Sequence, residues 1–357
     1  MKDFILWHEE IGTKGVTGAP GLYTSRECPS AGFAYKNALH YGRGLFEGMR
    51  AYWDEGQRAL FIACLDDHVA RMHRGMRTLR FFREQKHHEG IYADKRLTPA
   101  HLRKIILNVV RENVREGHVN PQDGCYIRPL VFRGNKTDLD ERPRPALGVS
   151  AMHNNIEFIV TLADMGAKYL DNPRVLVATT GVQDELRRTK ACGNYCRNGL
   201  ETDIARSHGF DETLLTDTRT ERNVLEGGGE NLFLLSKKRG GYALLTPGTD
   251  QDILPGTKRN VVMHIASALG YNITEGRVQL DMIFDSHWEA AFFTGTAVET
   301  EPISEVYDPV TKRRRHFSPD HPAFTRIREQ YQSLFRGKPV ERKLLRLQEI
   351  KRTKVPV

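Results

Sequence analysis

Apolar residues along this chain recur in two rhythms. Across residues 66–82, Val69, Met72, Met76 and Leu79 return at three- and four-residue spacing, with acidic side chains at the start and arginines toward the end. That pattern predicts an amphipathic helix whose charges suit its dipole. Ile105, Ile106, Val109 and Val110 mark one face of a second helix over 102–114. Residues 126–132 and 158–162 are β-branched and aromatic runs bounded by Gly, Asp or Asn, and read as strands. The strand pattern stops at Asp164-Met165-Gly166 and resumes as Val175-Leu176-Val177 after Asn172-Pro173, so a linker is expected over 163–173. Beyond it, 198–208 reads as a helix closed by Gly209, and 261–269 as a helix closed by Gly270. Residues 232–235, 242–245 and 290–294 read as strands.

A chain of 357 residues exceeds what one small core comfortably holds. Two domains are expected, an N-terminal one over 1–162 and a C-terminal one over 174–335, followed by a basic tail over 336–357. The tail carries eight Lys and Arg residues against Glu341 and Glu349, and so accounts for six of the eight net positive charges. A solvated terminal segment is the plainer reading of such a run, with nucleic-acid binding as the competing one. The run from Lys312 to Arg315 reads as a charged turn. The first ten residues hold only Phe4, Ile5, Leu6 and Trp7 as an apolar stretch, too short for a signal-peptide core or a membrane span. Five scattered cysteines, Cys28, Cys64, Cys125, Cys192 and Cys196, show no paired spacing. Reduced thiols in a cytoplasmic protein fit that usage.

Glycine-rich segments punctuate the chain at Gly42-Arg43-Gly44, Gly227-Gly228-Gly229, Pro255-Gly256 and Gly295. Leu254-Pro255-Gly256-Thr257 ahead of the helix at Val261 has the form of a phosphate-binding helix start. A Walker loop and a dinucleotide fingerprint are both missing, which disfavours a nicotinamide enzyme. Fourteen histidines give no metal-ligand spacing, so no metal is expected, and no Gly-x-Ser-x-Gly elbow supports serine hydrolysis. Chemistry carried by a cofactor is the natural remaining option.

Seven segments then stand in a telling order: Ala38-Leu39-His40-Tyr41-Gly42-Arg43-Gly44-Leu45-Phe46-Glu47-Gly48-Met49-Arg50-Ala51-Tyr52, Asp67-His68-Val69-Ala70-Arg71-Met72, Tyr126-Ile127-Arg128-Pro129-Leu130, Lys190-Ala191-Cys192-Gly193-Asn194-Tyr195, Glu226-Gly227-Gly228-Gly229-Glu230-Asn231-Leu232-Phe233, Leu254-Pro255-Gly256-Thr257-Lys258-Arg259 and Thr294-Gly295-Thr296-Ala297. In content and order they resemble the class IV aminotransferases, above all the branched-chain amino acid aminotransferases. The resemblance implies an α+β, two-domain pyridoxal-phosphate fold of type IV, with a smaller N-terminal α/β domain and a larger C-terminal β-barrel-like domain with helices. It implies pyridoxal 5′-phosphate as cofactor, small amino acids and 2-oxo acids as substrates, and a homodimer.

The same resemblance implies roles for individual residues. Lys190 would form the Schiff base and move the proton between substrate and cofactor; taken alone it is one of 53 Lys and Arg residues. Glu226 would face the pyridine nitrogen, and Tyr195 the phenolic oxygen. Arg71, the backbone of Gly256, Thr257 and Lys258, and the hydroxyl of Thr296 would hold the phosphate. Tyr126, with the amides of Ala297 and Val298, would receive the substrate carboxylate, supported by Arg128. Tyr41 and Phe46 would wall the side-chain pocket, although an aromatic pair of this kind equally suits plain core packing.

This chain departs from the pattern in three places. Thr257 and Lys258 follow Pro-Gly where a small apolar residue and threonine are usual. Residues 134–141, with Lys136, Asp138, Asp140 and Glu141, are charged where a glycine-rich apolar loop is usual, and 181–189 replaces the usual approach to the lysine. The leading expectation is transamination between a hydrophobic, branched-chain-like L-amino acid and 2-oxoglutarate. The alternatives within the fold are a D-amino acid or amine transaminase, an aminodeoxychorismate lyase, or a pathway-specific aminotransferase.

Overall fold

The computed structural model describes residues 5–12, 15–16, 21–24, 37–81, 83–84, 91–92, 97–137, 149, 154–166, 168–179, 185–217 and 222–356. Two compact units emerge: Met1–Met165 with Thr189–Gly193 and Ile350–Val357, and Gly166–Arg188 with Asn194–Glu349.

The first unit is built on a nine-stranded sheet among the described residues, in which Asn154–Ala163, Cys125–Thr137, Met49–Asp54 and Ala59–Ala63 are successive neighbours. All of these pair antiparallel, with Ile159 opposite Leu130 and Trp53 opposite Leu60. The two helices read from periodicity run over Leu65–Thr78 and Pro99–Arg115. Asp66 and Asp67 occupy the first turn of the former and Arg77 its last, as the dipole favours. The latter starts at Thr98, whose hydroxyl accepts from the amide of His101 at 3.3 Å, with Pro99 at the first helical position. Their apolar stripes, Val69, Met72 and Met76 on one and Leu102, Ile106 and Val110 on the other, join Met49, Ile62 and Ile127 of the sheet in one buried core. Burial of this apolar area is the main force holding the unit.

The segment read as a basic tail is structured. A short helix, Leu345–Ile350, belongs to the second unit as far as Glu349, and the chain then enters the first, where strand Arg352–Lys354 pairs antiparallel with Ala59–Ala63. Lys351 binds Asp67 at 2.7 Å, Arg352 binds Asp54, and Val355 is buried in the core. Lys351 and Arg352 are held by Asp67 of helix Leu65–Thr78 and Asp54 of strand Met49–Asp54, which accounts for the difference from a solvated end.

Among the described residues the second unit holds two sheets. One contains Asn223–Gly227, Glu212–Thr216, Arg174–Thr179, Glu305–Asp308 and Arg313–His316; the other contains Asn272–Gly276, Gly241–Pro247, Asn231–Lys238, Ala290–Gly295 and Glu299–Pro302. Val177, Leu214 and Val224 of the first share a core with Leu232, Leu234 and Phe293 of the second. Of the run Lys312–Arg315, expected as a turn, Lys312 lies in one, while the three arginines fall in strand Arg313–His316, where each finds a partner: Arg313 on Asp281 at 2.6 Å, Arg314 on Glu305, and Arg315 on the carbonyl of Trp288 at 2.8 Å. The helix expected over 198–208 begins earlier, as Cys192–Ser207, and the one expected over 261–269 runs as Thr257–Ala268. No helix among the described residues is long and apolar enough to cross a membrane.

Candidate active site

Lys190 lies on the turn before helix Cys192–Ser207 and is stitched to strand Gly44–Phe46. The amide of Phe46 donates to the carbonyl of Lys190 at 3.1 Å, and Ala191 bridges Leu45. Close approach here requires glycine. A Cβ on Gly42, whose φ is +63°, would meet the Cα of Gly193 at 2.9 Å, and one on Gly44 would meet Cys192 Sγ at 2.8 Å. The spaced glycines of the first motif thus let backbone segments that are far apart in sequence touch.

Around the lysine the first unit assembles three of the residues singled out from the sequence. Lys190 Nζ stands 4.8 Å from the centre of the Phe46 ring, and the guanidinium of Arg128 stands 4.7 Å from the same centre. Arg128 Nη2 donates to the hydroxyl of Tyr126 at 2.6 Å. Two cations therefore approach one aromatic ring and one of them bonds a phenol, an arrangement suited to a carboxylate. The Cys192 thiol registers them: burial pushes it up, and the charges of Arg128 and Lys190 pull back against that. Tyr41 ends the short helix Asn37–Tyr41, exposed, with its ring 6.0 Å from that of His40.

Arg71 is buried on helix Leu65–Thr78. Its Nε and Nη2 donate to the two oxygens of Glu47 at 2.7 and 2.8 Å, and His68 Nδ1 lies 2.8 Å from the same carboxylate. Burial would raise the Glu47 carboxyl, but the Arg71 charge, and after it that of His68, outweigh burial and hold it well below the usual carboxylate range. Glu47 and His68 lie inside the quoted motifs, yet nothing in their spacing foretold that they brace Arg71.

In the second unit, Glu226 sits near the end of strand Asn223–Gly227 and is buried. Its Oε2 accepts from Asn231 Nδ2 and from the amide of Leu254, each at 3.1 Å. Two residues beyond Leu254, Gly256 caps helix Thr257–Ala268 without a side-chain cap bond, as suits a helix start whose amides serve an anion. Lys258 is buried, with Nζ 4.1 Å from the Phe335 ring centre. Thr296, Ala297 and Val298 form the turn between strands Ala290–Gly295 and Glu299–Pro302. Tyr195 is half-buried on the first turn of helix Cys192–Ser207. Residues 138–148 of the charged loop lie outside the described residues, as do 181–184. Among the described residues no group of three or more His, Cys, Asp or Glu could hold a metal ion.

The first unit by itself offers a lysine beside an aromatic ring, and the second by itself a buried carboxylate that accepts two N–H bonds and a helix start that carries no side-chain cap; each is of a kind that suits a phosphorylated pyridoxal.

The family model for amino-transferase class IV matches residues 44–306. A probable branched-chain-amino-acid aminotransferase of Staphylococcus aureus is 28% identical over 282 residues, covering 75% of this chain and 70% of that protein. Among solved structures, the branched-chain aminotransferase of Thermoproteus uzoniensis with norvaline aligns with a TM-score of 0.75 at 25% identity, covering 99% of this chain and all of that one. A T.th. branched-chain amino acid aminotransferase complexed with N-(5′-phosphopyridoxyl)-L-glutamate aligns with a TM-score of 0.74 at 27% identity, over the full length of both chains.

Proposed function

The chain belongs to the class IV aminotransferases, and from that premise we propose that it moves the amino group of a hydrophobic, branched-chain-like L-amino acid to 2-oxoglutarate. Its fold is the two-domain pyridoxal-phosphate fold of type IV, and it is a pyridoxal-phosphate aminotransferase. The names of its relatives support the donor class. The observation that carries the reading is the gathering of Lys190, Arg128 and Tyr126 around Phe46.

When bound, pyridoxal 5′-phosphate supplies the electron sink that makes the substrate α-proton removable. Lys190 would hold the cofactor through its ε-amine, and that amine would serve as the base that carries the substrate α-proton. Glu226 would favour a proton on the pyridine nitrogen, and Tyr195 would hydrogen-bond the phenolic oxygen. Arg71, the amides of Gly256, Thr257 and Lys258, and the Thr296 hydroxyl bind the phosphate. Tyr126 and the amides of Ala297 and Val298 bind the substrate carboxylate, with Arg128 holding Tyr126 in place. Phe46 and Tyr41 flank the substrate side chain. From the family resemblance we take the working form to be a cytoplasmic homodimer.

The test begins with borohydride reduction of the purified protein, followed by peptide mapping. The expected adduct is on Lys190, and Lys190→Ala is expected to abolish transamination. A variant that transaminates at the normal rate overturns the assignment. A panel of L- and D-amino donors and amines, with 2-oxoglutarate as acceptor, tests the substrate. Preference for leucine, isoleucine or valine is expected; a D-amino acid or amine preference overturns the donor class while leaving the cofactor chemistry standing.

A further inference from the structure

Asn231 opens strand Asn231–Lys238 and is buried at 5% exposure. Its Nδ2 donates both to Glu226 Oε2 at 3.1 Å and to the carbonyl of Leu254 at 3.0 Å. The amide of Leu254 donates to that same Oε2 at 3.1 Å, closing a three-membered network. On the opposite side of the carboxamide, Asn231 Oδ1 lies against Gly256. A Cβ on Gly256 would overlap Oδ1, and would stand only 3.2 Å from Asn231 Cγ. One planar side chain therefore bonds Glu226 and the carbonyl of Leu254 through its Nδ2 end and lies against Gly256, the cap of helix Thr257–Ala268, at its Oδ1 end.

We infer that Asn231 is a positioning residue that sets the spacing between Glu226 and the start of helix Thr257–Ala268, coupling the pyridine end of the cofactor cradle to its phosphate end. This rests on the proposed roles of Glu226 and of the Gly256–Lys258 amides. The carboxamide is short and flat, and both Nδ2 hydrogens are engaged, so it has one orientation in which all its contacts are made. Shifting Leu254 moves a donor on Glu226, and shifting Glu226 moves the backbone two residues before the helix cap, Gly256. An aspartate at position 231 would keep the shape but set a second carboxylate against Glu226 and remove the donor.

The coupling is read from cofactor binding and spectra rather than turnover. Apoprotein of the wild type, Asn231→Ala, Glu226→Gln and the double variant is titrated with pyridoxal 5′-phosphate and with pyridoxal, which has no phosphate. The pH midpoint of the visible cofactor band is recorded for each holoprotein. Asn231→Ala is expected to weaken pyridoxal-phosphate binding about tenfold, to weaken pyridoxal binding less, and to move the midpoint in the direction that Glu226→Gln moves it. The double variant is expected to fall short of the product of the single effects. Should Asn231→Ala not fold, the uncharged Asn231→Ser takes its place with the same expectations, since it too lacks the carboxamide that spans Glu226 and Gly256. An unmoved midpoint and independent effects, in a protein where Glu226→Gln does shift the midpoint, overturn this inference alone. A wild-type chain that binds no pyridoxal phosphate overturns the proposed function, and this inference with it.

Discussion

Glu47 and Arg71 meet in two parallel charge-assisted bonds of 2.7 and 2.8 Å, with Glu47 wholly buried. Removing one partner of such a pair strands a charge away from water, which is costly. The Glu47 carboxyl is held below its ordinary value of 4.5 in the folded protein, so the stability it contributes is complete above that value and is lost as the pH falls. Glu47→Gln is therefore expected to lower stability by about 3 kcal/mol near neutral pH and to flatten the loss of stability toward acid. Urea unfolding of both proteins across that range checks this, and two parallel curves would refute it.

Glu212 runs the other way. Burial is the largest influence on it and pushes its carboxyl up, against bonds from the Thr202 hydroxyl at 2.6 Å and the Thr213 amide at 2.8 Å. A raised carboxyl contributes stability that is present below its ordinary value and fades as the pH rises through the folded one. Glu212→Gln stays neutral throughout, so its stability relative to the wild type is expected to climb as the pH goes from acid to neutral. Thermal unfolding at matched pH values measures the difference; a difference that does not depend on pH would show that Glu212 is not held as a raised acid.

Gly48 tests the Tyr126 assignment. A Cβ there would overlap the Tyr126 hydroxyl and stand 3.0 Å from Cζ. That hydroxyl is the far tip of a side chain that can turn away, so Gly48→Ala is expected to fold with a stability loss of about 1 kcal/mol. Displacing Tyr126 also breaks its bond to Arg128, so KM for the amino acid is expected to rise about tenfold or more. Steady-state kinetics beside a melting curve would separate the two effects, and an unchanged KM would remove Tyr126 from substrate binding.

Deleting residues 351–357 strips strand Arg352–Lys354 from Ala59–Ala63 and breaks the Lys351–Asp67 and Arg352–Asp54 pairs. The buried Arg352–Asp54 pair alone makes an expected loss of about 3–5 kcal/mol in unfolding free energy. If denaturant curves of full-length and shortened chains coincide, the terminal strand contributes nothing to stability.

The amino-acid order by itself determined the elements whose information is local. The stripe from Leu102 to Val110 and the cap at Thr98 specify helix Pro99–Arg115 whatever surrounds it. The Pro255-Gly256 turn read locally as a helix start, whereas Lys190 and Glu226 were singled out only through the family resemblance of the ordered motifs. Tertiary structure alone decided which of these meet. Glu47 reaches Arg71 across 24 positions, Asn231 reaches Leu254 across 23, and Lys351 reaches Asp67 across 284. No periodicity encodes such partners, since each contact depends on strands and helices first packing their apolar faces. For the same reason the basic runs at 312–315 and 336–357 looked like solvated charge: the carboxylates that order them are brought near only by the folded sheets.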